Sequence, residues 1–349
     1  MKKKILSLCF IFILVLQSLC LSSCAKPSKY TSYSFDYFDT VTSITGYEKD
    51  RETFDEVSAE IMAELEIYHK LFTIYERYEG LENLCTVNEL VDGVHRTVKV
   101  DARIIDMLLF AVEMHELTGG KVNIAMGSVL SIWHDYRSAG INEPWAAELP
   151  DMEKLTEAAK HTDISGLVID KEAGTVTLTD PKMKLDVGAI AKGYAVEMVA
   201  RMLEEKGVTG YVLNVGGNVR TIGEKGDGGK WTVGIENSDK SAEEPYLAYL
   251  TLAGESLVTS GSYQRYYVVD GKRYHHIIDG DTLMPSEGYT SVSIVAKSSA
   301  LADALSTALF CMELEEGKAL IASLEGAEAL WVLESGEIIR SEGFYNFEK

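Results

Sequence analysis

Residues 185–194 read LDVGAIAKGY, and residues 211–218 read YVLNVGGN. This pattern predicts a strand, a tight turn at Gly188, a helix that begins near Ile190, and a second strand that ends in a Gly-Gly turn. Small residues in such a turn let the backbone approach a ligand closely, and the start of a helix attracts phosphate. The spacing is that of neither the dinucleotide fingerprint nor the P-loop. The residues alone therefore leave open a phosphate site or an ordinary strand-turn-helix unit.

The chain around this unit predicts more strands than helices. Helices are predicted where apolar residues recur every three or four positions, at 55–71, 104–117, 128–136, 152–161, 299–312 and 315–324. Hairpins are predicted at 33–47, 166–185 and 263–278, and single strands at 231–236, 246–252, 256–260, 290–296 and 327–333. Because strands and helices do not alternate regularly, we expect an α+β fold with a large, mostly antiparallel sheet and flanking helices.

The first 24 residues predict export from the cytoplasm. A basic start is followed by an apolar run, Ile5 to Leu21, which is short for a spanning helix. The sequence LSSC ending at Cys24 is typical of a bacterial lipoprotein, in which this cysteine is lipidated after cleavage; a plain signal peptide or an uncleaved anchor are the alternatives. We expect a signal peptide at 1–23, a lipidated tether at 24–32, and one domain at 33–349 on the extracytoplasmic side of the cell membrane.

The composition excludes several classes of partner. The chain carries 33 basic and 54 acidic side chains, and loss of residues 1–23 would shift its formal net charge from −21 to about −24. So acidic a chain argues against nucleic acid and against a polybasic membrane patch. Outside the leader and the lipid position the cysteines are Cys85 and Cys311, and no Cys/His spacing predicts zinc. Whether these two pair or remain buried thiols is left open.

Two pairs of residues are candidates for chemistry. Asp303 and Thr307, four residues apart in an apolar helix, share one face. Their oxygens suit a hard cation such as Mg²⁺, and a hydrogen-bonded core pair is the alternative. His275 and His276 are neighbours on a strand, so only one of them can face a given site. An imidazole there can accept a proton at neutral pH, although a core histidine beside a surface histidine has the same pattern.

Together these blocks resemble the ApbE family, the FAD:protein FMN transferases. The resemblance rests on the LDVGAIAKGYA and NVGGN stretches, the helix with Asp303 and Thr307, HHIID at 275–279, LFTIY at 71–75 and TGGKVN at 118–123. It covers nearly the whole chain after the leader. It implies an ApbE-like, T-fold-related α+β fold, with FAD as substrate and Mg²⁺ as cofactor.

The resemblance also implies roles for individual residues. His276 rather than His275 would be the catalytic residue, and the metal ligands would be Asp303, Thr307 and the backbone carbonyl of Ala189. The implied FAD contacts are Tyr75, Lys121, Val122, Asn123, Asp186, Lys192 and, through its backbone, Ile277. Asn123 departs from the family's usual Asp and Ser128 from its usual Pro, and residues 279–283 read DGDTL where the family pattern is Asp-Pro-x-Thr-Gly.

The implied activity is transfer of FMN from FAD to a Thr or Ser hydroxyl of a partner flavoprotein, with release of AMP. Two alternatives remain at this point. An FAD pyrophosphatase would use the same cation and the same diphosphate with water as the nucleophile. A non-catalytic FAD-binding lipoprotein would leave FAD intact, and it would give no reason for a carboxylate, a hydroxyl and a histidine to appear in these blocks.

Overall fold

A computed structural model describes residues 26–239 and 241–349. The expected signal peptide and the lipid position, Cys24, lie outside these residues. The helices of the described chain are α1 (Arg51–Phe72), α2 (Leu84–Val87), α3 (Ala102–Leu117), α4 (Gly127–Asn142), α5 (Met152–Ala159), α6 (Ala191–Glu205), α7 (Ser299–Phe310) and α8 (Leu314–Ser323). None of these helices has the length and apolar character needed to cross a membrane.

The strands of the described chain are β1 (Ser28–Ser34), β2 (Thr42–Glu48), β3 (Leu90–Val91), β4 (Val94–His95), β5 (Val98–Lys99), β6 (Leu167–Asp170), β7 (Thr175–Leu178), β8 (Tyr211–Val215), β9 (Asn218–Ile222), β10 (Trp231–Glu236), β11 (Tyr246–Leu252), β12 (Ser256–Gly261), β13 (Tyr266–Val269), β14 (Lys272–His275), β15 (Tyr289–Ala296), β16 (Glu328–Leu333) and β17 (Ile338–Arg340). Eight of them form one sheet in the order β1-β2-β8-β9-β12-β15-β16-β17. Every neighbouring pair in it is antiparallel. The predicted α+β class with a large antiparallel sheet is confirmed.

Both faces of the sheet are covered. Helices α1, α6 and α7 pack on one face, where the main core joins sheet residues such as Ile294 to helix residues such as Leu305. The next residue of β15, Val295, points to the other face and packs with the β10–β11 hairpin and Phe344. This alternation is the two-residue period of a strand. A third cluster around Trp133 lies under α4.

A buried ion network fixes α6 against α7. The Glu197 carboxylate of α6 accepts a hydrogen bond from the Ser299 N–H at 2.9 Å, at the start of α7. It also lies 3.5 Å from the Arg220 Nε of β9, and both side chains are about 5 % exposed. A carboxylate at a helix N-terminus interacts favourably with the helix dipole. The network therefore sets where α7 begins relative to α6 and the sheet.

The N-terminal boundary of the domain differs from the sequence prediction. Residues 28–32 were expected in the tether, but they form most of β1, which pairs with β2 from Ser28 to Ser34. Tyr30, Thr31 and Tyr33 are residue types that favour a strand once a partner strand is available. The folded domain thus begins no later than Ser28.

Three further elements differ from their predicted limits. Residues 185–187 form no regular strand; Lys184 makes a single parallel bridge with Met126 instead. The predicted 166–185 hairpin ends at Leu178. Helix α4 continues to Asn142, beyond its predicted end at residue 136 and through Gly140. A Cβ atom at Gly140 would lie 2.5 Å from the Tyr267 ring, so this glycine serves close packing rather than a turn.

Candidate functional site

A cavity of about 380 Å³ lies among α4, α6, α7, β12 and the loops that follow β1 and β14. Every residue of the described chain to which the sequence assigns a catalytic, flavin or metal role lines this cavity. They are Tyr75, Lys121, Val122, Asn123, Asp186, Ala189, Lys192, His276, Ile277, Asp303 and Thr307. These residues are spread over more than 230 positions of sequence, and the fold brings them together.

Helices α6 and α7 approach closely where Gly193 faces Asp303. A Cβ atom at Gly193 would lie 2.3 Å from the Asp303 Cβ and 2.5 Å from the Ser299 carbonyl oxygen, so no larger residue fits. The Gly193 N–H donates a hydrogen bond to the Asp303 Oδ2 at 2.7 Å. Helix α6 has no side-chain cap of its own. The carboxylate from α7 therefore satisfies one of the free N–H groups in its first turn.

Asp303 is a buried carboxylate, and the groups around it only partly compensate for the loss of its hydration. It is 4 % exposed, and burial raises its pKa. Lys192, the Gly193 N–H and Asn218 act in the opposite direction. The Lys192 Nζ remains 3.9 Å from the nearer carboxylate oxygen. A buried carboxylate in this state gains from a further cation beside it.

Other oxygens on the cavity wall lack partners within the described chain. The Asn218 Oδ1 is buried and accepts no hydrogen bond. The Ala189 carbonyl receives no backbone N–H from the described residues, because the Gly193 N–H four positions later is directed to Asp303. The Thr307 Oγ1 lies 3.4 Å from the Ser260 Oγ, longer than a typical hydroxyl hydrogen bond.

These donors fit a hard cation. A carboxylate, an amide oxygen, a hydroxyl and a carbonyl are all oxygen ligands, the kind that Mg²⁺ binds in proteins. Among residues 26–239 and 241–349 there is no group of three or more His, Cys, Asp or Glu side chains that could hold a metal. The oxygen set proposed here has one carboxylate, and its other members are neutral oxygens. It would therefore not form such a cluster.

The two histidines have different surroundings. The His275 Nε2 donates to the Ser286 carbonyl at 2.8 Å and its Nδ1 accepts the Ile277 N–H at 3.2 Å, so both ring nitrogens are used in the fold. The His276 Nδ1 lies 3.2 Å from the Arg265 carbonyl. A carbonyl can only accept, so Nδ1 carries the hydrogen and Nε2 keeps a free lone pair. Only the second histidine lines the cavity.

The cavity keeps His276 neutral. Burial, together with the positive charges of Arg265 and Arg137, lowers the pKa of His276 to about 3. The imidazole is therefore unprotonated across the physiological range, which is the form that a general base needs.

One wall of the cavity is aromatic and cationic. The Tyr75 ring, 61 % exposed, packs on the His134 ring with 5.4 Å between centroids and a tilt of 32°. The Arg137 guanidinium donates to the His134 Nδ1 at 3.2 Å. An exposed aromatic ring backed in this way offers a flat surface to a planar ligand.

Several predicted flavin contacts have their polar groups occupied by the protein itself. The Asn123 amide donates to the Thr162 carbonyl at 2.9 Å and accepts the Ala125 N–H at 2.9 Å. The Ile277 N–H donates to His275, and its carbonyl accepts the Ser286 N–H. A ligand can therefore contact the Ile277 backbone only at the second lone pair of its carbonyl oxygen.

Lys121 is held at the edge of the cavity by two carboxylates. Its Nζ donates to the Asp281 Oδ2 at 2.7 Å and to the Asp279 Oδ1 at 3.3 Å. Burial opposes the charge, but these two carboxylates outweigh it and raise the pKa of Lys121. The same loop contains Leu283, which has φ +60° at the position where the family pattern has glycine. The Leu283 carbonyl accepts the Trp133 Nε1–H at 2.9 Å, which helps to hold this unfavourable backbone conformation.

Asp186 lies in the turn before α6 and lines the same cavity. Its Oδ1 accepts the Gly188 N–H at 2.9 Å, so the carboxylate organises the turn as well as facing the cavity. Burial raises the pKa of Asp186, whereas the Gly188 N–H and the charges of His134, Arg137 and Lys192 oppose that rise.

Four further residues of the cavity lining bear on its chemistry and have no role predicted from the sequence, namely His134, Arg137, Asn218 and Arg265. Leu130, His134 and Arg137 have helical spacing and lie on one face of α4. The sequence alone could therefore have predicted that these side chains lie together. Asn218 ends the NVGGN stretch of the resemblance. Arg265 lies in a loop and carries no comparable signal.

The ApbE family matches residues 38–331 of the chain. A FAD:protein FMN transferase of Klebsiella pneumoniae is 32 % identical over 286 residues, which are 78 % of this chain and 84 % of the relative. A FAD:protein FMN transferase of Treponema pallidum is 33 % identical over 260 residues, 70 % of each chain. The crystal structure of the ApbE protein of Thermotoga maritima superposes with a TM-score of 0.79 at 29 % identity, covering 92 % of this chain and all of that one.

Proposed function

The chain belongs to the ApbE family and is a transferase, and from this premise we propose that it moves FMN from FAD to a Thr or Ser hydroxyl of a partner flavoprotein, with AMP released. The observation that carries the proposal is the convergence of all the described flavin, metal and catalytic candidates on one cavity. The relatives' name supplies the substrate and the protein acceptor.

We propose that the cavity holds Mg²⁺ through the Asp303 carboxylate, the Thr307 hydroxyl and the Ala189 carbonyl. The incomplete compensation of Asp303 and the free Ala189 carbonyl support this assignment. Asn218 joins the same oxygen-lined region through its unpartnered Oδ1. When bound, the cation supplies charge neutralisation at the diphosphate.

The protein's own groups then carry the reaction. The acceptor hydroxyl attacks the flavin-side phosphorus; its O–P bond forms as the bond from that phosphorus to the bridging oxygen breaks, and AMP leaves. The proton of the hydroxyl passes to the His276 Nε2, which is unprotonated because Nδ1 faces a carbonyl. Tyr75 offers its exposed ring to the flavin. Lys192 and Asp186 position the substrate at the start of α6, so most of the catalysis lies in orientation and electrostatics.

We propose that the protein acts outside the cytoplasm, held on the cell membrane by a lipid on Cys24. The LSSC sequence after the apolar run supports this location. Replacement of Cys24 by Ser should leave the protein without lipid and move it from the membrane to the soluble fraction. Retention of the Cys24→Ser variant in the membrane would point to an uncleaved anchor instead.

The decisive experiment mixes the purified protein with FAD, Mg²⁺ and a flavoprotein acceptor domain. We expect flavin fluorescence on the acceptor in a denaturing gel, one AMP per flavin attached, and no labelling when the acceptor hydroxyl is removed. Release of free FMN and AMP without labelling would favour a pyrophosphatase. Intact FAD after long incubation with Mg²⁺ would favour a non-catalytic binding protein.

A further inference from the structure

Two arginines on the cavity wall have no acidic partner. Arg137 comes from α4 and Arg265 from the loop between β12 and β13, and both line the cavity. Within residues 26–239 and 241–349, neither guanidinium forms an ion pair with a carboxylate. The polar contact of Arg137 is the His134 Nδ1, and that of Arg265 is the Asp39 carbonyl at 3.3 Å.

The two charges also repel each other. Arg137 is half-buried, and burial together with the Arg265 charge lowers the pKa of Arg137. A guanidinium remains protonated at any physiological pH, so the repulsion persists in the free protein. Two like charges in one cavity, neither of them ion-paired with a carboxylate of the described chain, favour an anion between them.

Of the three acidic side chains on the cavity wall, Asp186 and Asp303 contact other groups, and the Asp39 carboxylate forms no ion pair with either arginine within the described residues, since Arg265 contacts the Asp39 backbone carbonyl. Asp186 is close enough to affect Arg137 electrostatically, but its Oδ1 accepts the Gly188 N–H. Asp303 accepts the Gly193 N–H and lies 3.9 Å from the Lys192 Nζ. Lys121 is neutralised by Asp279 and Asp281.

The cavity therefore differs in charge from the molecule around it. Its lining carries four cationic side chains (Lys121, Arg137, Lys192 and Arg265) and three acidic ones (Asp39, Asp186 and Asp303). The whole chain has a formal net charge of −21. Because Lys121 is neutralised by Asp279 and Asp281, the remaining charges of the lining balance, three against three, so an anionic ligand meets less repulsion here than at the rest of this strongly acidic protein.

We propose that Arg137 and Arg265 form an anion subsite that takes a phosphate group of the dinucleotide substrate, separate from the oxygens around Asp303. The proposal rests on the proposed function for the identity of the ligand. Lys192 and Asp186 connect the two regions, since the Lys192 Nζ is 3.9 Å from Asp303 and the charges of both Lys192 and Arg137 act on Asp186. One phosphate then faces the cation oxygens and the other the arginines, whose planar forks suit phosphate oxygens.

The test is a binding measurement without turnover. The full chain, with EDTA present, is titrated with FAD, with riboflavin and with ADP, and binding is followed by flavin fluorescence and by calorimetry. We expect Arg137→Gln and Arg265→Gln each to weaken FAD and ADP binding by about 10-fold or more, the loss of one charge-assisted hydrogen bond. Riboflavin, which has no phosphate, should bind both variants as it binds the unaltered protein. Parallel titrations with FMN and AMP identify which phosphate the arginines hold.

The controls separate charge from shape. Arg51→Gln removes an arginine outside the cavity, one that pairs with Asp55, and should leave every affinity unchanged. Arg137→Lys and Arg265→Lys keep the charge without the fork and should recover part of the loss. If Arg137→Gln does not fold, the exposed Arg265 carries the test alone.

Two results would overturn the subsite. The first is unchanged FAD and ADP affinity in both glutamine variants, and the second is an equal loss for riboflavin, which would make the arginines part of the flavin pocket. A protein that binds ADP through the arginines but does not bind FAD would contradict the proposed function and leave the subsite in place.

Discussion

At the scale of single residues, the site depends on polar groups that the fold buries without full compensation. Asp303 is 4 % exposed with a cation no closer than 3.9 Å, and the Asn218 Oδ1 has no partner in the described chain. Such groups cost free energy unless something binds them. Their retention at one point of the cavity is the physical argument for a cation there.

Replacement of Asp303 by Asn should remove the cation site without harming the fold. We expect the affinity for Mn²⁺, used as a spectroscopic substitute for Mg²⁺, to fall by more than about 100-fold, because loss of a supporting group alone costs about 10- to 100-fold. Electron paramagnetic resonance of Mn²⁺ measures this directly. Asp55→Asn, at an exposed ion pair, is the matched control. An unchanged Mn²⁺ affinity in Asp303→Asn would show that Asp303 is not a metal ligand.

The same variant has an expected effect on stability. Burial raises the pKa of Asp303 in the folded state, so protonation favours folding and this contribution is lost as pH rises through the raised pKa. At neutral pH the charged group therefore weakens the metal-free protein. The neutral Asn should keep or raise its thermal midpoint at pH 7, and scanning calorimetry in EDTA checks this.

Replacement of His276 by Ala should lower kcat by about 10²- to 10⁴-fold, the usual contribution of a general base. FAD affinity should change little, because the proposed role is in the chemical step. His275→Ala is the contrasting variant: its ring nitrogens bond Ser286 and Ile277, so its loss should lower the thermal midpoint. Equal kcat in His276→Ala and the unaltered enzyme would exclude a base at this position.

The pH profile tests the environment of His276. Because its pKa is lowered to about 3, the neutral base persists down to acidic pH, and kcat/KM should show no acidic limb near the ordinary histidine value of about 6.5. Arg137→Gln removes one repelling charge and should move the limb to higher pH. A limb near 6.5 in the unaltered enzyme would contradict the lowered pKa.

At the scale of elements, the oxygens of the proposed cation site come together because two helices meet at a glycine. Gly193 lets α6 approach α7 until its N–H reaches Asp303, and this same contact leaves the Ala189 carbonyl without a helical partner. Glu197 fixes the start of α7 from the same helix. The packing of α6 on α7 thus positions the proposed metal donors.

Gly193→Ala should destabilise the protein although alanine is the better helix former. The added Cβ would lie 2.3 Å from the Asp303 Cβ, and overpacking of this kind costs about 1–3 kcal/mol, against a propensity gain of about 1 kcal/mol. The free energy of unfolding, measured with denaturant, and the affinity for Mn²⁺ should both fall.

Gly317→Ala in α8 is the matched control. Its added Cβ would meet its nearest neighbour, Leu309, at an ordinary 3.4 Å, so stability should be unchanged or higher and Mn²⁺ binding unaffected. If Gly193→Ala is as stable as Gly317→Ala and binds Mn²⁺ normally, the close approach of α6 and α7 is not required.

At the scale of the whole molecule, the large sheet extends to Ser28, close to the start of the described residues. β1 is an edge strand that pairs with β2 along all of its length, and its Tyr30 ring packs on Phe54 at 5.6 Å between centroids. The loop that follows β1 carries Asp39 to the cavity. The start of the folded domain therefore bears on the site as well as on stability.

Two truncations test this boundary. A chain beginning at Lys26 should keep the thermal midpoint and FAD affinity of the leaderless protein. A chain beginning at Phe35 lacks β1 and should melt several degrees lower, because the Tyr30 contact and the ladder to β2 are lost. Equal thermal midpoints for the two chains would show that residues 28–34 do not stabilise the folded domain.

The sequence by itself determined the fold class, the family and the candidate residues, because these depend on local periodicity and short motifs. The spacing of Asp303 and Thr307 needed only the helical repeat, and the predicted helices at 55–71 and 104–117 agree with α1 and α3. Local pattern was misleading where long-range packing sets the outcome. Gly140 sits inside α4 under Tyr267, and residues 28–32 become a strand only because β2 is beside them.

Only the tertiary structure decided which groups share the cavity and which are already engaged. It showed that His275 is engaged by the fold while the His276 Nε2 is free, and that the amide of Asn123 is occupied. It also added Asn218, whose Oδ1 has no hydrogen-bond partner within the described chain, and Arg137 and Arg265, whose contacts there are a ring nitrogen and a carbonyl rather than a carboxylate. Burial and unmet hydrogen bonds are properties of distant segments brought into contact, so no local sequence pattern encodes them.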